Sequence, residues 1–172
     1  MNKNILLSTC LLSSMAGYAI AEEKPNIVII YTDDMGIGDL SCYNSGWVRT
    51  PNIDNLAANG LKFNHYYTAS PVSSPSRVSL TTGIFPTELG INTFLHHRDW
   101  NKKCEQFDFL DISAPSMARS LKEVGYKTAH IGKWHMGGGR DVDDAPQIPL
   151  YGFDEYVSTY ESPDPDKLLT AS

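Results

Sequence analysis

An uninterrupted run of apolar and β-branched residues, Asn26 to Thr32, constrains the fold of this chain more than any other feature. A strand that is hydrophobic on both faces is typical of a parallel sheet covered by helices. The run ends at Asp33-Asp34, and two glycines follow shortly afterwards. We therefore expect a buried strand that stops at a polar loop.

Helical and strand patterns alternate along the rest of the chain. The stretch Glu88 to Gln106 interrupts them, has no clear period and predicts a long surface excursion. The alternation predicts an α/β fold, with a largely parallel sheet flanked by helices. Helices are predicted over Pro51 to Asn59, Pro75 to about Leu80 and Ser113 to Val124, and further strands over Leu61 to Thr68 and Tyr126 to Ile131.

Residues 1–21 have the pattern of a secretory signal peptide. Lys3 supplies the positive charge, Ile5 to Leu12 is apolar, and Ala19-Ile20-Ala21 is a small-x-small cleavage site. The apolar run is too short for a transmembrane anchor. We expect a mature chain of residues 22–172 that is exported to the periplasm or secreted, with no membrane anchor after cleavage.

The charge balance argues against a nucleic-acid partner. The net charge is −6, and removing Lys3 with the leader would make it −7. No basic stripe is present to neutralise phosphates. With 41% hydrophobic residues, the chain is not wholly disordered. After cleavage Cys42 and Cys104 would remain, and a disulfide and two free thiols are both open.

Asp33 and Asp34 are candidate metal ligands. Two adjacent carboxylates at a strand end repel each other unless a cation lies between them, and hard divalent cations such as calcium prefer oxygen ligands. A solvated acidic turn explains the same pair.

Ser73 and Arg77 are a candidate anion site. Ser73 comes just before a helix opened by Pro75, where free N–H groups and the helix dipole favour negative charge. Arg77, one turn later, can reach back with two N–H groups. A serine-rich loop with a helix cap is an equally good interpretation.

Lys133 and His135 follow the last predicted strand. Alternate residues of an extended segment share a face, so both side chains can aim at one ligand. Lysine suits an anion, and histidine suits proton transfer near neutral pH. An exposed loop with scattered polar residues is the alternative. Trp134 is expected to pack in the interior, and His130 to be a satisfied core or interface residue.

The carboxyl ends of parallel strands share one edge of a sheet. We therefore expect the acidic pair, the Ser73 segment and the Lys133 segment to converge there. In the long excursion, His96 and His97 are candidate contacts to a leaving group, although an exposed histidine pair is more often plain surface.

Four ordered stretches resemble the sulfatase family of the alkaline-phosphatase superfamily. The family signature is Cys or Ser, any residue, Pro-Ser-Arg and a helical stretch ending in Thr-Gly, and here it runs from Ser73 to Gly83. Residues 25–34, 50–63 and 125–137 look like the family's opening strand with its metal pair, the next helix and strand, and its second signature. The resemblance covers about residues 24–157. It implies an alkaline-phosphatase-like fold, of which residues 22–172 are the N-terminal, incomplete part of the catalytic domain.

The resemblance also implies a mechanism. Ser73 would be oxidised after translation to formylglycine, whose hydrate attacks the sulfur of a sulfate ester and later expels sulfate. Serine at this position is typical of bacteria with an anaerobic radical maturase, which would be a transient partner.

The family's site residues can be carried over position by position. The implied roles are one Ca²⁺ ion bound by Asp33, Asp34 and modified Ser73, with Arg77 holding the site, Lys133 binding sulfate, His135 orienting or protonating, and Ser162 near the position of a family serine that contacts the site.

Family members are usually far longer, and residues 136–172 contain no second metal pair. We therefore expect an incomplete ligand set and an inactive chain in isolation. A phosphoester or phosphonate hydrolase using unmodified Ser73 and an inactive truncated fragment are the alternatives, and the Pro-Ser-Arg and Gly-Lys-Trp-His contexts favour the sulfatase. The substrate, a sulfated aryl compound or carbohydrate, stays open.

Overall fold

A computed structural model of the protein describes residues 24–43, 48–161 and 168–170. The predicted signal peptide, residues 1–21, and Ser162 lie outside these ranges. None of the helices within the ranges is both long and apolar enough to span a bilayer.

The α-helices form largely where local signals predict them. Helix α1 is bounded by Pro51 and Gly60 as expected. Helix α2 ends at Gly83, whose φ of 73° is a left-handed conformation that glycine adopts without strain. The last helix starts later than predicted, because Ser116 takes the position before it while Ser113 hydrogen-bonds to Asp111. The helices are α1 (Pro51–Asn59), α2 (Ser73–Thr82), α3 (Arg98–Lys103) and α4 (Met117–Glu123).

A three-stranded sheet lies in the second half of the chain. Strands β1 (Ala129–Lys133) and β2 (Glu155–Thr159) are parallel, and β3 (Leu168–Thr170) runs antiparallel to β2. The register places Lys133 opposite Thr159. The strand predicted over Tyr126 to Ile131 is thus present, displaced toward its C-terminal end.

Two predicted strands are wrong for the described residues. Neither Asn26 to Thr32 nor Leu61 to Thr68 forms a strand, and their apolar side chains are exposed, with Val28 at 81% and Leu61 at 80%. A strand persists only where its N–H and C=O groups pair with a neighbouring strand. In the described part of the chain only β1, β2 and β3 pair, so these apolar runs lack a ladder.

The prediction that Glu88 to Gln106 is a long surface excursion is wrong, because part of this segment lies in the core. Ile91, Leu95 and Asn101 are fully buried. The Asn101 side chain accepts a hydrogen bond from the His96 N–H and donates to the His96 carbonyl and to Asp108. The Gln106 amide likewise bonds to the backbone of Thr93 and Phe94, so side-chain amides rather than a periodic apolar face hold this segment. The core cluster comprises Val78, Ile91, Leu95, Leu110, Ala114, Ala118, Trp134, Met136, Ile148, Tyr151 and Phe153.

Trp134 is an interior residue, as predicted, and His130 is half-buried beside it. Trp134 is buried, and its ring lies 5.1 Å from the ring of His130 in a perpendicular arrangement. The Nδ1 atom of His130 is 2.6 Å from the hydroxyl of Ser158. Cys42 and Cys104 are free thiols, which decides the question that the sequence left open.

Candidate active site

Helix α2 carries two side chains of the candidate site. Ser73 is its first residue, and Arg77, one turn later, is buried. The Arg77 guanidinium donates from Nη1 to the backbone oxygen of Lys133 at 3.0 Å and from Nη2 to Asp33 Oδ1 at 3.2 Å. The two donor groups of this one guanidinium therefore join the first turns of α2 to the end of β1 and to Asp33.

Lys133 completes the cluster from the last position of β1. Its Nζ donates to Asp33 Oδ2 at 2.7 Å and to the Ser73 hydroxyl at 3.0 Å. The same hydroxyl lies 3.4 Å from Asp33 Oδ1. The structure thus brings Asp33, Ser73, Arg77 and Lys133 together, although of these only Lys133 stands at the end of a strand.

The cluster carries an excess of positive charge. The hydrogen bond from Lys133, together with the charges of Lys133 and Arg77, holds the pKa of Asp33 below its usual value, so Asp33 is ionised at neutral pH. Two cations then face one carboxylate beside the Ser73 hydroxyl. This arrangement can hold a tetrahedral anion against an oxygen nucleophile.

The acidic pair supplies only part of a metal site. A calcium ion takes about six to eight oxygen ligands. Asp33, Asp34 and Ser73 offer oxygen, which fits calcium in kind. However, both Asp33 oxygens are hydrogen-bonded to Lys133 and Arg77, and Asp34 is exposed with a left-handed φ of 54°. Within the described ranges no three His, Cys, Asp or Glu side chains are grouped to hold a metal.

His135 lies beside the cluster but turns toward another segment. It is 4% exposed, and its Nε2 donates to the Leu95 carbonyl at 3.0 Å. Burial lowers its pKa to about 4; the Leu95 hydrogen bond opposes this shift and the Lys133 charge adds to it. The ring is therefore neutral at pH 7. The Leu95 N–H donates to the buried Ser74 hydroxyl, so this segment also touches the residue after Ser73.

The other predicted ligands are placed differently. His97 occupies the position before α3, where its Nδ1 accepts from the Trp100 N–H at 3.1 Å. His96 directly follows Leu95, and its ring centroid is 4.5 Å from that of His97. In the described part of the chain, no hydrogen bond joins either ring to Ser73. Ser162, as noted, falls outside it.

The residues that contact His135 were not predicted from the sequence. The Leu95 carbonyl, Glu161 and Tyr160 all contact its ring or backbone. A backbone carbonyl leaves no mark in a sequence, and Glu161 belongs to no motif. One sequence signal pointed to this region, the glycine run that ends at Gly139. In the structure a Cβ on Gly139 would lie 2.2 Å from a ring carbon of Tyr160, so only glycine lets the backbone pass this close to the ring.

Comparisons with known proteins agree on one family. The sequence profile described as Sulfatase matches residues 25–168. The chain is 42% identical over 142 residues to an N-acetylgalactosamine-6-O-sulfatase of Bacteroides thetaiotaomicron, covering 78% of this chain and 26% of that protein. It is 39% identical over 146 residues to human N-acetylgalactosamine-6-sulfatase, covering 83% and 27%. The crystal structure of Ps i-CgsB superposes with a TM-score of 0.69 at 34% identity, covering 81% of this chain and 29% of that one. The chain therefore spans about a quarter of the length of these relatives.

Proposed function

The chain belongs to the sulfatase family, and on that premise we propose that it is part of an enzyme that hydrolyses sulfate esters at the Ser73 site. Its fold is that of the N-terminal portion of an alkaline-phosphatase-like domain. Within the proposal, residues 1–21 are a signal peptide and residues 22–172 are part of the catalytic domain. The protein would be exported to the periplasm or beyond it.

The observation that carries the proposal is the position of the Lys133 ammonium. It lies 3.0 Å from the Ser73 hydroxyl and 2.7 Å from an Asp33 oxygen. A sulfate group placed against Ser73 would meet this cation. The charge that develops on the sulfate oxygens in the transition state would be stabilised by the same ammonium, which is fixed in advance by its two hydrogen bonds.

Arg77 and Asp33 keep that cation in place. Arg77 holds the Lys133 backbone and the Asp33 carboxylate at once, and it is itself buried. The three side chains are therefore joined by hydrogen bonds that hold the ammonium beside Ser73. His135, neutral and buried at the edge of the cluster, can accept a proton at Nδ1 because its Nε2–H is engaged by Leu95.

Two groups complete the proposed site. Formylglycine made from Ser73 by a maturase would supply an oxygen nucleophile and a route for sulfate to leave without water attacking sulfur, and Ca²⁺ would polarise the sulfate. Asp33, Asp34 and the modified Ser73 would hold the ion on one side. Among the described residues no third His, Cys, Asp or Glu is grouped with them.

For the substrate we propose a sulfated carbohydrate. Two relatives above are named for a 6-sulfated N-acetylgalactosamine, and the present chain shares about two fifths of its residues with each of them over the matched region. An aryl sulfate would serve as a convenient assay substrate. The segment with His96 and His97, which continues from Leu95, would lie nearest the leaving group.

The decisive test compares sulfate and phosphate esters on the complete protein that contains this chain. We expect turnover of an aryl sulfate and of 6-sulfated N-acetylgalactosamine, loss of that turnover in Ser73→Ala, and retention in the matched variant Ser120→Ala on α4. Mass spectrometry of the Ser73 peptide should show a loss of about two mass units. Turnover of the phosphate ester alone, with unmodified Ser73, would refute the proposal. The 172-residue chain by itself should show negligible turnover.

A further inference from the structure

A second group of side chains surrounds the far side of His135. Glu161 Oε2 lies 3.5 Å from His135 Nε2, and the other carboxylate oxygen of Glu161 is paired with Arg140. The His135 N–H donates to the Tyr160 carbonyl at 2.7 Å, and the two rings are 5.0 Å apart. The Tyr160 hydroxyl donates to the same Leu95 carbonyl that accepts from His135.

This group fixes the direction of the imidazole. A carbonyl and a carboxylate can only accept hydrogen bonds, so the nitrogen facing both of them must carry a proton. Both Leu95 and Glu161 face Nε2. Nδ1 is buried and has no hydrogen-bond partner among the described residues. Nδ1 is therefore the nitrogen left with a lone pair, and His135 is held in the Nε2–H tautomer.

The backbone supports the same arrangement. His135 has a φ of 49° and Arg140 a φ of 60°, both in the left-handed region that most side chains avoid. Strain of this kind persists only where the surroundings hold it. The turn that it produces returns Arg140 to Glu161 and packs Gly139 against the Tyr160 ring.

From these contacts we propose that Glu161, anchored by Arg140, is a positioning residue for His135. Its carboxylate lies 3.5 Å from the Nε2 that donates to the Leu95 carbonyl, and its negative charge stabilises the positive charge that appears on the imidazole when Nδ1 takes up a proton. The inference rests on the proposed function, because that function gives His135 a role in proton transfer. Without Glu161, the nearby charges facing a protonated His135 would be those of Lys133 and Arg77, both cationic.

The test follows the His135 ring itself. Long-range ¹H–¹⁵N spectra of the chain at pH 7 should show the Nε2–H tautomer. The titration midpoint of His135 is then measured in the wild type, in Glu161→Gln and in Glu123→Gln, a matched change of charge at an exposed position at the end of α4. We expect a midpoint about 0.5 pH unit lower in the Glu161 variant and no change in the Glu123 variant.

If Glu161→Gln does not fold, Glu161→Asp takes its place. Aspartate keeps the negative charge but moves it away from the ring by one bond length, so the titration midpoint of His135 should also fall below that of the wild type. An Nδ1–H tautomer, or midpoints that agree between wild type and the Glu161 variants, would overturn the inference. The spectra need no turnover, so failure of the proposed function would leave this result intact.

Discussion

Replacing Ser74 with alanine should weaken the fold through one buried hydrogen bond. The Ser74 hydroxyl accepts from the Leu95 N–H at 2.9 Å, and both residues are completely buried. Alanine removes the acceptor and leaves the N–H without one, and the site is closed to water. Leaving a buried donor unsatisfied costs about 1–3 kcal/mol. We take about 2 kcal/mol as the expected loss, which lowers the ratio of folded to unfolded protein roughly 30-fold.

Urea denaturation of the wild type and of Ser74→Ala gives this loss directly. A chain of this size should also show a melting temperature lower by about 4–8 °C. Ser120→Ala is the matched control, because Ser120 is exposed on α4. The control should change the free energy of unfolding by no more than about 0.5 kcal/mol. A Ser74 variant as stable as the control would show that the bond between α2 and the Leu95 segment contributes nothing, and the reasoning would fail.

Three further outcomes are expected. In the complete protein, Lys133→Ala should lower kcat/KM for an aryl sulfate by about 10²–10³-fold, as steady-state kinetics would show; a change below threefold would contradict the role of the ammonium. Burial lowers the pKa of His130 to about 4 from an ordinary 6.5, so between these pH values the unfolded chain binds more protons and stability falls as the pH falls. Urea titrations at pH 6.5 and 4.5 should show this loss, and the loss should be smaller in His130→Gln. Gly139→Ala places a methyl group 2.2 Å from a Tyr160 ring carbon, so thermal unfolding should occur at a lower temperature; an unchanged melting temperature would mean that the ring moves freely.

The sequence predicts this structure best where the signal is local. Pro51 and Gly60 mark the limits of α1, and Gly83 ends α2, because each residue acts on its own backbone. These features need no knowledge of distant partners. The meeting of Ser73 and Lys133 was expected because strand ends share one edge of a sheet, yet in the structure Lys133 ends a strand and the residues before Ser73 do not form one.

The sequence predicts least where a partner decides the outcome. The run Asn26 to Thr32 has the composition of a buried strand, but composition does not supply a neighbouring strand. The segment around Leu95 looks irregular because two side-chain amides, those of Asn101 and Gln106, hold its backbone in place of periodic packing. The orientation of His135 depends on a backbone carbonyl and on Glu161, and neither carries a recognisable pattern.

The salt bridge between Asp33 and Lys133 can form only after residue 133 has been synthesised. The two residues are 100 positions apart, and a ribosome adds about 5–20 residues each second. Roughly 5–20 s therefore pass between the synthesis of the carboxylate and the synthesis of the ammonium that pairs with it. During that interval Ser73 has been made, yet the cation that will lie 3.0 Å from its hydroxyl does not exist. Ser73 therefore exists in the nascent chain, with Asp33 and Arg77, before its full set of charged neighbours has been made.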